Sequence, residues 1–418
     1  MKTSRHTRLI CVTDRLSLPG GGEDAFLERM REIADSRVDA IILRERDLDP
    51  QEYRALAEKV MRICRQYGMP CILHKYVQQA KDLGAEYIHM SVPHLKETPG
   101  QDLQGFRALG VSCHSTYEAE YAQSRGAAYI LAGHVYETHC KLGSPGRGLT
   151  YLRDICSCVE IPVYAIGGIS PEKVPEVLSC GAAGICSMSG FMKTADIPGY
   201  IRDMTVLPPL KRAYLKLYAI TDTVIRPVAE ECERVRAAIL GGATMIQLRK
   251  KTADQALLEE YARAVSRVCR EYGVPCIIND NVPAAMKYAD GVHLGAADAA
   301  VQDVRGKAPR GFIIGATAKT IRQALQAESA GADYIGAGAM FPSGTKENAV
   351  QITRGDLDEI CDSVHIPAVC IGGISKGNMP LLRGCRAAGA AVVQGIFGAE
   401  DIQGAARDLR ALAEETFI

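Results

Sequence analysis

Short apolar runs alternate with amphipathic stretches along the whole chain. The segment DQALLEEYARAVSRVCREYG, for example, carries apolar residues at i, i+3 and i+4 and stops at a glycine, which is typical of a helix that covers a core. Continuous apolar strands separated by such helices indicate a parallel sheet buried under helices. In the second half, the strand-like runs are residues 215–221, 244–250, 275–280, 291–295, 312–318, 334–341, 368–374 and 390–396.

Eight regularly spaced strands within about 200 residues favour an α/β fold that closes into a (β/α)8 TIM barrel near its lower size limit. An open, doubly wound sheet is the alternative fold with the same alternation. The first half shows the same pattern, so we predict two tandem TIM barrels.

The two halves also match in sequence. The segment RICRQYGMPCIL at 62–73 matches RVCREYGVPCII at 267–278, at an offset of 205 that persists over more than a hundred residues. A period of this length indicates a duplicated domain rather than a solenoid repeat. We place the boundary in the proline-containing segment MTVLPPLKRA, which gives domains 1–206 and 207–418.

Composition then narrows the class of protein. The 49 Lys and Arg residues balance 49 Asp and Glu residues, which does not favour nucleic acid or an anionic membrane as a partner. No apolar run approaches the ~18–20 residues that span a bilayer. The 15 cysteines lie mostly in apolar runs without a CxxC motif, as reduced core thiols do. We expect a cytoplasmic enzyme of small-molecule substrates that could form a homo-oligomer.

Candidate chemistry in the second half follows the predicted strands, because active sites of TIM barrels lie at the carboxyl ends of the strands. There, Arg249, Lys251 and Lys346 would share one rim with Asp280 and Asp298. These charges would neutralise one another unless an anion of several charges, bridged by a divalent cation, lay between them. Mg²⁺ prefers one or two carboxylates together with substrate phosphate oxygens. The rim therefore predicts a magnesium–phosphate site.

A second anion site is expected at the glycines that follow strands 7 and 8 of this half. Gly372, Gly373 and Gly395 offer backbone N–H groups, as the phosphate sites of these barrels do. Two anion sites suggest two phosphorylated substrates, or a diphosphate and a monophosphate. Each feature has a plainer interpretation: a tight Gly-Gly turn, an aspartate that caps a helix, or solvated cations.

The motifs QLRKK, IINDN, DGVHLG, GADYIGAGAMFPSGTK and CIGGI resemble the thiamine phosphate synthase family along the whole second half. This resemblance implies a transferase that joins hydroxymethylpyrimidine diphosphate to thiazole ethyl phosphate and releases pyrophosphate. It implies Asp280 and Asp298 as Mg²⁺ ligands and Gln247 as a pyrimidine contact. The remaining implied roles are diphosphate or substrate binding for Arg249, Lys251, Asn279, Ser343 and Thr345, thiazole-phosphate binding for Gly372, Gly373, Gln394 and Gly395, and catalysis for Thr317 and Lys346.

Five positions depart from the family pattern. Ala296 replaces the usual glutamine of GQxD, and Thr317 and Lys319 replace the serine and histidine of GxSxH. Gln394 and Gly395 replace small residues at the end of strand 8. These changes affect the expected pocket and leave the metal and diphosphate residues in place.

The first half loses the predicted metal ligands. At the uniform offset of 205, the pair Asn279–Asp280 becomes His74–Lys75, and Asp298 becomes Pro93. We therefore expect no diphosphate displacement there. The predicted phosphate-binding residues of this half are Arg44, Lys141, Gly167, Gly168, Ser189 and Gly190.

The first half also gains a histidine, His134, after its sixth strand, where a group that titrates near neutrality could transfer protons. The motif GHVYETHCKLGSPGRG resembles the thiazole tautomerases, paralogues of the synthase that isomerise a carboxythiazole phosphate. That resemblance implies His134 as the proton-transfer residue and hence a multifunctional enzyme. A non-catalytic barrel that binds thiazole phosphate, and a pair of phosphosugar-isomerase barrels, are the alternatives.

Overall fold

The computed structural model of the protein describes residues 7–138, 143–205, 210–342 and 350–417. These residues fall into two compact units, which lie within 6–206 and 207–418. None of the helices in the described ranges is long and apolar enough to cross a membrane.

The first unit is a closed barrel of eight parallel strands, each paired with its neighbours in chain order. The strands are β1 (Arg8–Val12), β2 (Ala40–Leu43), β3 (Cys71–His74), β4 (Tyr87–Ser91), β5 (Ala108–Cys113), β6 (Tyr129–Gly133), β7 (Val163–Ile166) and β8 (Gly184–Ser187). The helices are α1 (Glu23–Ala34), α2 (Pro50–Gln66), α3 (Val77–Asp82), α4 (Val92–Glu97), α5 (Thr116–Ser124), α6 (Gly148–Cys158), α7 (Val174–Ser179), α8 (Ser189–Lys193) and α9 (Ile197–Met204).

The second unit is a closed parallel barrel of the same kind. Its strands are β9 (Leu217–Ile220), β10 (Met245–Leu248), β11 (Cys276–Asn279), β12 (Gly291–Leu294), β13 (Ile313–Ala318), β14 (Tyr334–Ala337), β15 (Ala368–Ile371) and β16 (Gly389–Val392). Its helices are α10 (Val228–Leu240), α11 (Gln255–Tyr272), α12 (Val282–Tyr288), α13 (Val301–Lys307), α14 (Ile321–Ser329), α15 (Arg354–Ser363), α16 (Gln394–Phe397) and α17 (Ile402–Thr416).

Closure of both sheets confirms the prediction of two tandem TIM barrels. The last strand pairs with the first in each unit, β8 with β1 and β16 with β9. The doubly wound alternative is wrong for both halves, because an open sheet would leave these strands unpaired at its edges.

Side chains alternate between the barrel interior and the helix layer along each strand. In the second barrel the interior cluster is Leu215, Tyr218, Ile220, Met245, Ile277, Ile313, Tyr334, Val369, Ala388 and Ala391. Their strand neighbours, such as Ile278 and Ile335, pack under the helices instead. The same alternation puts Gln247, Asn279 and Thr317 on the inner side of the barrel.

The predicted strand positions are confirmed, but all eight strands of the second barrel are shorter than predicted, and three of them end three or more residues early. β14 ends at Ala337, β15 at Ile371 and β16 at Val392. After β15 the chain leaves the extended conformation because Gly372 and Gly373 take φ angles of 99° and 62°. The prediction that strand 8 reaches Gln394 is wrong, since Gln394 is the first residue of α16.

The duplication extends to backbone conformation. Lys75 and Asp280, which follow β3 and β11, are the described non-glycine residues with positive φ, at 72° and 64°. Their backbone N–H groups donate to the carbonyl oxygens of His89 and His293, over 3.0 and 2.9 Å. His89 and His293 are therefore equivalent, and the offset at β4 and β12 is one residue smaller than elsewhere.

This shift corrects one predicted correspondence. The uniform offset matches Asp298 with Pro93, whereas the shifted register matches it with His94. Local hydrogen bonds agree, because each residue contacts the position three before it: the Asp298 carboxylate accepts from Gly295 N over 2.6 Å, and His94 Nδ1 lies 2.6 Å from Ser91 Oγ. The uniform register failed here because the first half has one more residue than the second between the end of the third strand and the equivalent histidine: His89 is 14 positions after Lys75, and His293 is 13 after Asp280.

Candidate active site

Asp280 follows β11 and holds its carboxylate at the rim of the second barrel. It is not a helix cap, because Asn281 caps α12 by accepting from Ala284 N over 2.9 Å. Asp298 does not cap α13 either, since the residue before that helix is Ala300. The interpretation of the two aspartates as helix caps is thus wrong.

The two carboxylates lie close enough to affect each other. Partial burial, followed by contact with the Asp298 carboxyl, raises the pKa of Asp280 above its usual range, although Lys251 opposes the shift. Lys251 Nζ lies 3.5 Å from Asp280 Oδ2. Two neighbouring carboxylates of this kind form a site that gains free energy by binding a cation.

Arg249 lies beside this pair with unused hydrogen-bonding capacity. Its backbone N–H donates to Thr221 Oγ1 over 2.9 Å. Its Nη1 is buried and has no hydrogen-bond partner among the described residues. Burial lowers the pKa of Arg249, and the nearby Asp280 carboxylate opposes that shift. A half-buried guanidinium with one unused, buried donor is suited to an anionic ligand.

Gln247 and Thr317 lie at opposite ends of a polar chain inside the barrel. Gln247 Nε2 donates to Tyr218 OH over 2.7 Å, and Tyr218 OH lies 2.8 Å from Tyr334 OH. His293 Nδ1 lies 3.0 Å from Tyr334 OH, and His293 Nε2 lies 3.1 Å from Thr317 Oγ1. Sequence reasoning missed the three middle members.

The available donors and acceptors constrain how protons are placed along this hydrogen-bonded chain when the His293 imidazole is neutral. In the arrangement that uses the hydroxyl protons of both tyrosines, Tyr218 accepts from Gln247 and donates to Tyr334, which donates to His293 Nδ1. In that arrangement the imidazole proton is on Nε2 and points to Thr317. Since Thr317 Oγ1 accepts that bond, its own hydroxyl proton remains to be donated elsewhere.

Gly315 makes room for the central tyrosine of the chain. A Cβ at Gly315 would lie 2.1 Å from Cζ of Tyr334. The first barrel repeats this arrangement, since a Cβ at Gly110 would lie 2.0 Å from Cζ of Tyr129.

The glycines after β15 form the second predicted site. A Cβ at Gly372 would lie 2.5 Å from Cβ of Ala339, and one at Gly373 would lie 2.4 Å from the carbonyl oxygen of Pro342. The N–H groups of Gly372 and Gly373 donate to no hydrogen bond within the described ranges. A Cβ at Gly395 would lie 3.2 Å from the carbonyl oxygen of Ile374, so α16 begins beside this turn.

A buried ionic cluster supports the loop after β9. Lys250 Nζ donates to Glu231 Oε2 over 2.9 Å and to the Val224 carbonyl over 2.8 Å. Asp222 forms a bidentate pair with Arg226, with N–O distances of 2.6 and 2.9 Å, and lies 3.5 Å from Lys250 Nζ. Lys250 follows Arg249 directly, but its side chain has the opposite parity and points into the helix layer.

Several predicted site residues lie outside the described ranges: Lys141, Ser343, Thr345 and Lys346. Their roles stay predictions. Of the departures from the family pattern, Ala296 is exposed after β12, and Lys319 is half-buried with its backbone N–H donating to Gln323 Oε1 over 2.8 Å.

The first barrel keeps the backbone conformation of the predicted phosphate site. Arg44 N donates to Thr13 Oγ1 over 2.9 Å, as Arg249 N does to Thr221. Gly167 and Gly168 take φ angles of 103° and 65°, close to those of their counterparts. Ser189 and Gly190 begin α8 after the last strand.

His134 lies directly against this glycine pair. A Cβ at Gly167 would lie 2.4 Å from His134 Cβ. His134 Nε2 lies 3.2 Å from the Ser144 carbonyl oxygen, which can only accept, so this nitrogen carries a proton. Nδ1 is buried without a hydrogen-bond partner among the described residues. In the neutral ring Nδ1 is therefore a free base.

No group of three or more His, Cys, Asp or Glu side chains that could hold a metal ion occurs in the part of the chain that the structure describes. Asp280 and Asp298 alone are a donor set of the size that Mg²⁺ uses when substrate phosphates and water complete its coordination.

These features define a protein of two tandem TIM barrels, with cations and carboxylates together on the rim of the second. A family model described as thiamine monophosphate synthase (TMP-TENI) matches the chain twice, over residues 9–191 and 217–396. The chain belongs to this family.

Individual relatives each match about half of the chain. The thiamine-phosphate synthase of Pyrococcus furiosus is 42% identical over 205 residues, which is 49% of this chain and 97% of that protein. The thiamine-phosphate synthase of Clostridium botulinum is 38% identical over 195 residues, 46% of this chain and 92% of that protein. A solved structure of thiamine phosphate pyrophosphorylase from Pyrococcus furiosus is similar at 39% identity, covering 49% of this chain and 98% of that one, with a TM-score of 0.45.

Proposed function

We propose that the second barrel couples hydroxymethylpyrimidine diphosphate to thiazole ethyl phosphate and releases pyrophosphate and thiamine phosphate. The observation that carries this proposal is the pair Asp280 and Asp298 beside Arg249, whose buried Nη1 has no hydrogen-bond partner among the described residues. The two carboxylates can bind a metal cation and Arg249 can bind an anion, and a metal-bound diphosphate requires both kinds of site. Membership of the thiamine monophosphate synthase family supports it.

The expected reaction needs positioning and charge stabilisation rather than a nucleophile from the protein. The thiazole nitrogen attacks the methylene carbon of the pyrimidine while the C–O bond to diphosphate breaks, and pyrophosphate leaves with the electron pair. Arg249 and Lys251 stabilise the departing charge, and Gln247 orients the pyrimidine. Thr317 donates its hydroxyl proton to a substrate acceptor, and Gly372 and Gly373 bind the thiazole phosphate.

The residues present fit a magnesium ion. Asp280 and Asp298 would hold it, because their proximity already disfavours two unshielded negative charges. Mg²⁺ would supply charge neutralisation for the leaving diphosphate. Lys251 shares the Asp280 carboxylate and keeps a cation at that position.

A pyrophosphate-release assay on the full chain tests the synthase proposal. We expect release that requires both heterocyclic substrates, falls strongly on chelation, and is lost in Asp280→Asn. The matched control is Asp39→Asn, whose carboxylate accepts from Leu9 N in the first barrel, away from the rim. Full activity in Asp280→Asn would overturn the assignment. Isomerisation of a phosphosugar without pyrophosphate release would favour the alternative of two phosphosugar-isomerase barrels.

We also propose that the first barrel, residues 1–206, isomerises a carboxythiazole phosphate through His134. The supporting observation is the free Nδ1 of His134 beside Gly167. Nδ1 takes a proton from one ring atom of the substrate, and the imidazolium returns one to another, so no net proton is lost. Loss of the carboxylate pair in this barrel agrees with a reaction that expels no diphosphate.

His134→Asn separates catalysis from binding in this barrel. Asparagine keeps a polar side chain at the position but cannot accept and return a proton. We expect loss of ring-proton exchange with solvent deuterium, followed by NMR. Pyrophosphate release from hydroxymethylpyrimidine diphosphate, coupled to preformed aromatic thiazole phosphate, should be unchanged. Unchanged proton exchange would leave the first barrel as a non-catalytic module that binds thiazole phosphate.

A further inference from the structure

We propose that the first barrel binds an oxyanion group of its ligand directly through Lys75 and His94, without a divalent metal, at the position where the second barrel carries its carboxylate pair. This inference extends the proposed function of the first barrel, and it does not depend on whether His134 transfers a proton. The group recognised is a carboxylate or a phosphate, in addition to the phosphate expected at Gly167 and Gly168.

Lys75 occupies the same backbone position as Asp280. Both residues take a left-handed backbone conformation that few non-glycine residues adopt, with φ angles of 72° and 64°. Both donate their N–H to the carbonyl oxygen of the equivalent histidine, over 3.0 and 2.9 Å. A cation in the first barrel thus replaces an anion in the second at one point of the rim.

His94 matches Asp298 in the corrected register. Its Nδ1 lies 2.6 Å from Ser91 Oγ, so the ring is held at the rim and Nε2 is the remaining nitrogen. An imidazole that keeps one nitrogen for a ligand can donate a hydrogen bond to an oxyanion. The carboxylate pair has therefore become a pair of potential donors, and neither residue can hold Mg²⁺ as a carboxylate does.

The cations of this rim are not neutralised by nearby carboxylates. No carboxylate within the described ranges lies within ion-pair distance of Lys75 or Arg46. The nearest acidic residues along β2, Glu45 and Asp47, interact with Arg15 instead. Lys75 Nζ lies 4.8 Å from the centre of the Tyr76 ring.

The response of a neighbouring imidazole agrees with a positive field. Burial lowers the pKa of His74 well below its usual value, and His89, Arg44, Arg46 and His94 add to that shift. The two guanidinium groups, Arg44 and Arg46, thus act on one buried ring with the same sign of charge. Cations such as Lys75 and Arg46, which have no ion-paired carboxylate within the described ranges, gain free energy when an oxyanion binds.

Calorimetry on the full chain in EDTA tests the proposal. The probes are thiazole ethyl phosphate, its carboxylated form and inorganic pyrophosphate. Asparagine tolerates the left-handed backbone, so Lys75→Asn removes the charge with little effect on the fold. The control is Arg107→Gln, an exposed cation directly before β5 at the opposite end of the same barrel.

We expect wild type and Arg107→Gln to bind, without metal, one or both of the probes that carry two anionic groups, carboxylated thiazole ethyl phosphate and pyrophosphate. Lys75→Asn should weaken that binding about tenfold or more, the usual effect of losing one charge-assisted hydrogen bond. Binding of thiazole ethyl phosphate should be unchanged. A loss confined to the carboxylated probe identifies a carboxylate, and a loss confined to pyrophosphate identifies a phosphate. Equal binding of every probe by wild type and Lys75→Asn overturns the proposal.

A reciprocal exchange gives a second test. The double variant Lys75→Asp with His94→Asp recreates the carboxylate pair of the second barrel at matched backbone positions. We expect the Lys75-dependent binding to disappear in EDTA and to return with Mg²⁺. Metal-independent binding in this variant would contradict the inference. If the anion binding holds while His134→Asn leaves proton exchange unchanged, the catalytic proposal fails and the anion site stands.

Discussion

His293 Nε2 lies 3.1 Å from Thr317 Oγ1, and the matching atoms of His89 and Ser112 in the first barrel lie 2.8 Å apart. Burial and the Arg44 charge lower the pKa of His89 to about 3, so that imidazole is neutral and has one donor nitrogen. A hydroxyl held by a histidine is thus common to both barrels. The chain from the histidine through tyrosine to a glutamine exists in the second barrel alone, because Ile42 replaces Gln247.

Removal of the histidine should affect coupling in the second barrel only. We expect His293→Ala to lower kcat for pyrophosphate release by about tenfold to a hundredfold, since a misoriented Thr317 costs that much in comparable sites. The buried Tyr334 hydroxyl would lose its acceptor, at a cost of about 1–3 kcal/mol in the free energy of unfolding.

His89→Ala is the matched control for this prediction. It removes the equivalent hydrogen bonds and should destabilise the protein by a similar amount, but it should leave pyrophosphate release unchanged. Steady-state kinetics and urea unfolding measure both effects. Equal kinetic losses in the two variants would show that the histidines act through stability alone.

The carboxylate pair should reduce stability in the absence of metal. Since the folded-state pKa of Asp280 is raised, its ionised form is disfavoured, and the cost is present above that pKa and vanishes as the pH falls through it. We expect Asp280→Asn to raise Tm in EDTA at neutral pH, and the gain to disappear in acid. Asparagine also tolerates the left-handed backbone of this position.

Magnesium should reverse the order of the Tm values, so that wild type becomes more stable than Asp280→Asn. Ligand binding to the folded state raises the Tm of wild type, whereas Asp280→Asn should respond little. Calorimetric scans with and without Mg²⁺ measure this difference. A lower Tm for Asp280→Asn in EDTA at neutral pH would contradict the repulsion between the two carboxylates.

Periodicity predicted the barrels and the inward residues, because strand alternation is local. Alternate residues of a strand point to opposite sides of the sheet, so Lys250 points into the helix layer while Gln247 and Arg249 point to the barrel interior and its rim. The polar chain through Tyr218, Tyr334 and His293 was not predictable in this way. Its members come from three strands, and their contacts depend on the register of the closed barrel.

The match of Asp298 to Pro93 failed for a similar reason. A uniform offset assumes that connections of the two halves have equal lengths, but the connection from β3 to β4 is one residue longer than that from β11 to β12, since Lys75 to His89 is 14 positions and Asp280 to His293 is 13. The hydrogen bonds of His94 and Asp298 to the residue three before each, rather than the alignment, identify the equivalent positions.

Because the buried Nη1 of Arg249 has no hydrogen-bond partner among the described residues, we expect Arg249 to contribute to ligand binding rather than to stability. We expect Arg249→Met to raise KM for the pyrimidine diphosphate by about 10- to 100-fold, the cost of one or two charge-assisted hydrogen bonds. The free energy of unfolding should not fall, because the buried Nη1 makes no hydrogen bond to the described residues. Arg44→Met, at the matching backbone position, should leave this KM unchanged. A large loss of stability in Arg249→Met would indicate a structural role instead.

Lys250, in contrast, should contribute to stability rather than to ligand binding. Its side chain is fully buried and donates to Glu231, whose side chain is 1% exposed. Lys250→Met would remove the hydrogen-bonded cation of that carboxylate and leave it Arg226 Nη1 at 3.7 Å, so we expect a loss of about 3 kcal/mol in the free energy of unfolding. Addition of Glu231→Gln should recover much of the loss, because the remaining amide carries no charge. Urea unfolding of the single and double variants gives the coupling energy. If the double variant were as unstable as the sum of the two single changes, the ion pair would not explain the position of the loop after β9.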